Sequence, residues 1–378
     1  MSKAVRLGIV GIGNMGTGHA ESILAQRISR LELAAICDTN PDKRKRYPQI
    51  PGFADSQAMI RSGLVDAVLI ATPHYDHTRI GIEVLAAGLH LLVEKPLSVH
   101  KADCERLIAA YTQRPKPEQV FCCMFNQRTD PHYTKLRHLI RSGELGEIRR
   151  INWIITDWFR TDAYYASGGW RATWEGEGGG VLANQCPHNL DLMQWLFGLP
   201  VKVRAHAQFG KWHAIETEDA VTAYLEYANG ATGVFVTTTG EAPGTNRLEV
   251  AAERGRVVIE NGTITFTRNV VPMSEFSRTA DGFSRPETWT INIPVNGNGG
   301  QHNEILQNFT DCILDGKALI APAVEGIHSV ELGNAMILSS VLDQTISLPI
   351  DGAQYERELK KLIAAAKNRK TIAKSFPK

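Results

Sequence analysis

The chain has 378 residues, 43% of them hydrophobic, and a formal net charge of +1. A length of this order suits two or three domains with real cores, and the balanced charge argues against a nucleic-acid binder, which would carry a basic excess or stripe. No apolar run reaches the length of a membrane span, and the six scattered cysteines lack zinc-type spacing, so reduced thiols in the cytoplasm are expected rather than a disulfide framework. The N-terminal MSKAVRLGIVGIG enters a strand almost at once, with no separate apolar signal region.

VRLGIV (5–10) is a short apolar run ending in glycines, as a buried parallel strand would be. A helical pattern follows over 14–28, then a second strand over 31–38. The basic cluster DKRKR (42–46) reads as a solvated helix start. FADSQAMIRSG predicts a short helix, VDAVLIATP (65–73) a third strand and HTRIGIEVLAAG (77–88) a helix closed by glycine. LHLLVEKP (89–96) is a fourth strand, ADCERLIAAYTQR a helix and QVFCCMFN (119–126) a fifth strand. Strands alternating with helices imply a parallel sheet with right-handed crossovers.

The rhythm changes near residue 126. A helix over 134–148 ends in a turn, and longer alternating segments follow: RRINWIITDW, KVRAHAQFG, AVTAYLEYANGATGVFVTTTG, RLEVAAERGRVVIENGTITFTRN and ETWTINIPV. YANGA and ENGT read as hairpin turns. The fold class expected is α/β. An N-terminal Rossmann domain over 1–125 precedes an α+β domain over 126–378, whose large open sheet is mostly antiparallel.

G-I-G-N-M-G (11–16) fits GxGxxG between a strand and a helix. Glycines there allow close approach of backbone N–H groups to a pyrophosphate at the helix N-terminus. Asp38 ends the second strand, where a carboxylate can accept hydrogen bonds from ribose hydroxyls and repel a 2′-phosphate, which favours NAD. Arg44 and Lys45 lie close enough in sequence to offer a phosphate partner and keep NADP open. LVEKPLS (92–98) ends the fourth strand, so Lys95 points toward the cofactor crevice with Pro96 fixing the backbone behind it. Its ammonium can hydrogen-bond a substrate hydroxyl or a developing alkoxide, and Glu94 can orient it.

Farther on, GGGVLANQCPHNLD (178–191) sets Asn184, His188 and Asp191 four and three positions apart, one face of a continuous helix. Spacing alone admits a catalytic face or the polar start of an ordinary helix with Asn184 as its cap, bonding the N–H of Cys186. A metal site is not expected, because one His and one Asp fall short of the usual three or four ligands. Trp158, Arg160, Tyr164 and Tyr165 admit a sugar-stacking surface or a subunit interface. His302, after the glycine-rich NGNGGQ, admits a substrate contact or a loop role.

GxGxxG, the run ATPHYDHTRIGIEVLAAGLHLLVEKPLS and GGGVLANQCPHNLDLMQWL together resemble the Gfo/Idh/MocA oxidoreductases, over essentially the whole chain. The resemblance implies an NAD-dependent dehydrogenase acting on a secondary hydroxyl of a sugar, glycoside or cyclic polyol such as an inositol. It implies Lys95 and His188 as catalytic residues, His188 as acid/base on the substrate hydroxyl. Asn184, Asp191, Tyr164 and Arg160 are the substrate-binding candidates. Those for the cofactor are Gly11, Gly13, Asn14, Met15, Gly16, Asp38, Thr72, His77, Glu94 and Lys95, with Trp170 and Arg171 near the nicotinamide half. Many family members carry Asp where this chain has Asn184. An amide can hydrogen-bond a histidine but cannot favour its charged form as a carboxylate does.

The resemblance further implies a homodimer or homotetramer paired through the open face of the second sheet. Two other readings stand beside the dehydrogenase: a glycosidase or lyase that uses NAD for transient oxidation, and a non-catalytic NAD- and sugar-binding regulator. Retention of both Lys95 and His188 argues against the regulator.

Overall fold

The computed structural model describes residues 4–375, which fall into two compact units. One takes the chain through Thr129, with Gly176–Gly178 and Gly299–Glu331. The other holds Asp130–Glu175, Gly179–Asn298 and the chain from Leu332. A single cut after residue 125 omits the return of Gly299–Glu331 to the first unit.

The first unit begins with β1 (Val5–Val10) and α1 (Asn14–Leu24), followed by β2 (Leu31–Cys37), α2 (Pro41–Arg44), β3 (Gly52–Phe53) and α3 (Ser56–Ile60). It continues through β4 (Ala67–Ile70), α4 (Tyr75–Ala86), β5 (His90–Val93), α5 (Lys101–Thr112) and β6 (Phe121–Cys123). All six strands are parallel, in the order β3-β2-β1-β4-β5-β6. Their apolar runs follow from this: Ala67–Ile70 is buried at every position, which a strand covered on both faces requires. Asn40 and Asp55 cap α2 and α3 through their side chains. The two-residue β3 carries too little pattern to be read from sequence, and α1 stops at Leu24 rather than at residue 28. Strand order reverses about β1, so the carboxyl ends of β1, β2, β4 and β5 bring Gly11, Asp38, Thr72 and Lys95 to one edge.

The second unit opens with α6 (Pro131–Arg141), capped by Asp130, and β7 (Ile148–Ile155). Three short or medium helices follow, α7 (Asp162–Ala166), α8 (Val181–Asn184) and α9 (Pro187–Phe197). The sheet then builds through β8 (Lys202–Phe209), β9 (Glu218–Glu226), β10 (Thr232–Thr238), β11 (Asn246–Ala252), β12 (Gly255–Glu260) and β13 (Thr263–Asn269). Next come α10 (Met273–Thr279) and β14 (Thr288–Ile293). α11 (Gln301–Asp315) folds with the first unit. After it come α12 (Gly326–Leu342), β15 (Ile346–Ser347) and α13 (Gly352–Ser375).

Nine strands pair in the order β14-β13-β12-β11-β7-β10-β9-β8-β15. Every pairing is antiparallel except β7 with β10, where Trp153 lies opposite Phe235. The meander β8-β9-β10 returns β10 alongside β7 in the same direction. Both predicted hairpin turns are present, at 227–231 and at Asn261-Gly262, where φ is positive at both central residues as a type I′ turn demands. Alternation buries Ile151, Trp153 and Ile155 of β7 with Leu225, Phe235 and Leu248 of its neighbours, and leaves Ile154 and Tyr224 exposed on the other face. Among the described residues no helix is long and apolar enough to cross a membrane.

Trp153 is fully buried and donates its indole N–H to Asn246 at 3.2 Å. Trp153→Ala is expected to lower stability by about 3–5 kcal/mol, read from urea unfolding; a loss below about 1 kcal/mol would show that this strand does not anchor the second core.

Candidate active site

The loop after β1 is shaped by close approach of its own backbone. A Cβ on Gly16 would stand 1.8 Å from the Gly11 carbonyl oxygen, so only glycine lets α1 begin this close to β1. A Cβ on Gly13 would meet nothing within 4 Å. Gly13 is also the N-cap of α1 and supplies no side-chain cap, so the first amides of the helix are left for a ligand. Open space above uncapped amides fits a pyrophosphate. Asn14 and Met15 are exposed beside it.

Asp38 stands just past β2, nearly buried. Its Oδ2 accepts from the Ile12 amide at 2.8 Å and from Lys43 at 3.3 Å, and its Oδ1 accepts from the Asn40 amide at 2.9 Å. The carboxylate is therefore fixed against the glycine loop, in the place where ribose hydroxyls would meet it. The basic residues that followed in sequence are otherwise occupied. Arg44 donates to the carbonyls of Asp38 and Thr39, and Lys45 pairs with Asp42.

Beyond β5, Glu94 and Lys95 form a braced turn. Glu94 is buried, and its Oε1 accepts from His19 Nε2 at 2.7 Å, while its Oε2 accepts from the Lys95 amide at 3.2 Å. Burial would push the carboxyl up; the hydrogen bond and charge of His19, with the charges of Lys95 and His302, bring it down to about 2. His302 stands on α11 with its ring 5.6 Å from that of His19. Burial holds its imidazole below the ordinary value, against the pull of Glu94. His77 lies beneath the same turn, with Nδ1 2.9 Å from the Pro96 carbonyl oxygen and Nε2 3.0 Å from that of Thr72. It ties the Lys95 turn to the end of β4. Burial depresses its imidazole in spite of those two carbonyls. His19 was not singled out from sequence. Its signal was present: a polar residue three positions after Gly16, on the helix face turned to the sheet.

In the second unit the glycine run serves backbone contact and helix capping. A Cβ on Gly180 would stand 2.0 Å from the Glu218 carbonyl oxygen. The buried Glu218 carboxylate accepts from the amides of Gly180 (2.8 Å) and Leu182 (3.0 Å), so it caps α8 from a neighbouring strand. This corrects one expectation. Asn184 ends α8 and does not cap α9; the Cys186 amide bonds the Val181 carbonyl at 2.8 Å, and α9 starts at Pro187. The helix breaks between Asn184 and His188, because a continuous helix would need an N–H that Pro187 lacks. His188 and Asp191 remain one turn apart on α9, both buried, and Asp191 accepts from Gln194 at 3.0 Å. Asn184 is half-buried on the preceding turn.

Arg160, Tyr164, Trp170 and Arg171 lie together in this unit. The guanidinium carbon of Arg171 is 4.7 Å from the centroid of each ring, Tyr164 and Trp170, and that of Arg160 is 5.1 Å from Tyr164. Tyr165 donates to Thr239 at 2.8 Å and packs on His213, which Asp219 holds. Among the described residues no cluster of three or more His, Cys, Asp or Glu could hold a metal ion.

Residues 5–121 match the oxidoreductase family with an NAD-binding Rossmann fold, and residues 133–258 match the GFO/IDH/MocA C-terminal domain. Among characterised relatives, the rhizopine catabolism protein MocA of Rhizobium meliloti is 32% identical over 61% of this chain and 69% of its own length. Inositol 2-dehydrogenase of Rhizobium meliloti is 25% identical over 91% of this chain and 99% of its own. The WlbA dehydrogenase from Bordetella pertussis, solved in complex with NADH and UDP-GlcNAcA, superposes with a TM-score of 0.77 at 26% identity, over 92% of this chain and 100% of that one.

The Glu94 carboxyl sits at about 2 when folded against an ordinary 4.5. Its contribution to stability is present above pH 4.5 and fades as pH falls toward 2. Between pH 6 and pH 3 the loss from this group is about 2 kcal/mol. Glu94→Gln removes the titrating group, so the acid-side fall in urea midpoint should shrink by that amount; an unchanged acid limb would show that Glu94 is not held ionised.

Proposed function

The chain belongs to the GFO/IDH/MocA family of NAD-binding oxidoreductases, and from that membership we propose that it oxidises a secondary hydroxyl of a sugar, glycoside or cyclic polyol, or reduces the matching ketone. The observation that carries the reading is the braced lysine. Lys95 stands at the carboxyl end of β5, on the same sheet edge as the glycine loop and Asp38, with Glu94 and His77 fixing its backbone. The relatives support the substrate class, being an inositol dehydrogenase and a dehydrogenase crystallised with a nucleotide-linked sugar.

NAD supplies the hydride acceptor; the chain supplies binding, orientation and proton handling. The uncapped amides of α1 and the Asp38 carboxylate hold the dinucleotide. The Lys95 ammonium donates to the hydroxyl oxygen and stabilises the negative charge that develops there as hydride leaves the carbinol carbon. His188 takes the hydroxyl proton at a ring nitrogen and returns it in the reverse direction. Asn184 and Asp191 bond neighbouring hydroxyls and so set which carbon faces the hydride acceptor. A homodimer or homotetramer through the open face of the nine-stranded sheet belongs to the same proposal; exposed Ile154 and Tyr224 on that face support it.

Lys95→Ala and His188→Ala are each expected to lower kcat/KM by about 10²–10⁴-fold, the range of a lost electrostatic or acid–base contribution. The readout is nicotinamide absorbance with a panel of inositols, pyranoses and glycosides. Wild-type turnover in either variant would overturn these roles.

A further inference from the structure

Two arginines of the second unit stand without a carboxylate. Arg160 donates to the carbonyls of Phe159 (2.9 Å) and Trp158 (3.5 Å), and Arg171 donates to the Tyr164 hydroxyl at 3.0 Å. Both are partly buried, and neither pairs with any described Asp or Glu, although Asp157 and Asp162 are close in sequence. Arg149, Arg150, Arg204 and Arg247 of the same unit each hold a carboxylate; what sets Arg160 and Arg171 apart is that both guanidiniums lie over the one ring of Tyr164. Gln185, buried, donates to the same Tyr164 oxygen at 3.2 Å. With two bonds accepted, the phenol has its own proton left to give.

The cluster is thus two guanidiniums and one phenol that can only donate further. Two uncompensated cations on one ring, half out of water, call for an acceptor-only group of negative charge. We propose that Arg160, Arg171 and Tyr164 form an anion subsite that selects an acidic sugar, one bearing a carboxylate or phosphate, over its neutral counterpart. The inference rests on the reading of the chain as a sugar or polyol dehydrogenase and names the charge of its substrate. A neutral sugar would leave both cations unpaired while displacing their water, which is the source of discrimination. A phosphate of the cofactor offers the same chemistry, and the sequence resemblance implies a place near the nicotinamide half of the cofactor for Arg171.

The test uses the full chain saturated with NADH and titrated calorimetrically with matched pairs: glucose with glucuronate and glucose 6-phosphate, galactose with galacturonate. An acidic member is expected to bind at least about tenfold more tightly than its neutral partner, as a charge-assisted bidentate contact provides. Arg160→Gln and Arg171→Gln should each collapse that preference, with a larger loss for the acid than for NADH itself. Tyr164→Phe, which removes one hydroxyl and leaves the packing, should reduce the preference in part and serves if an arginine variant misfolds. Equal binding of acid and neutral members in every pair overturns the inference. So does an Arg171→Gln variant that weakens NADH as much as the acid, since the anion bound there would be the cofactor. Binding does not depend on turnover: failure of the inositols, pyranoses, glycosides and these acids alike to reduce NAD, assayed separately, contradicts the dehydrogenase reading instead.

Discussion

A buried carboxylate governs the end of β5. Glu94 is buried, and an unpaired charge there would cost several kcal/mol or force the group neutral. His19, reaching from α1, keeps it ionised at 2.7 Å, and the Lys95 amide takes the other oxygen. The helix that opens at the glycine loop is thereby bolted to the turn that carries the lysine. His77 adds a second tie, from the Pro96 carbonyl to the Thr72 carbonyl. The ends of β1, β4 and β5 become one stiff support, and both the dinucleotide loop and Lys95 rest on it. Precision of this kind is what hydride and proton transfer require of a scaffold.

The second unit solves a similar problem with a different device. Helix α8 is short and starts at glycines that cannot cap it. Glu218, in β9, supplies the cap across the chain, and the bare Gly180 lets the two backbones meet. Helix α9 then begins at Pro187, carrying His188 and Asp191 in its first turns.

Much of this was legible in the chain itself. The parallel strands announced themselves as apolar runs closed by glycine or followed by EKP, because strands covered on both faces need no alternation. The hairpin at Asn261-Gly262 was legible because few residues other than Asn and Gly accept positive φ in succession. Four features were not. His19 and Glu94 are far apart in sequence, and nothing local marks them as partners. Glu218 looked like one polar residue at a strand start, since a cap supplied from another element leaves no spacing signature. Asn184 shared a helical period with His188 and Asp191, but Pro187 has no N–H to continue the ladder, so the period spans two helices. The return of Gly299–Glu331 to the first unit was hidden for the same reason as the Glu94 pair, being a tertiary choice that periodicity does not record.

A dehydrogenase of the proposed kind carries out a net oxidation of a carbinol carbon by NAD, with the proton leaving to the protein. The most direct measurement follows a preferred sugar or polyol, deuterated at that carbon, in single turnover with the full chain. NADH equal to the substrate consumed, carrying the deuterium and formed more slowly than from the protiated compound, is the result expected. Substrate consumed with no net NADH would contradict it, because the nicotinamide would then be recycled within a hydrolysis or elimination.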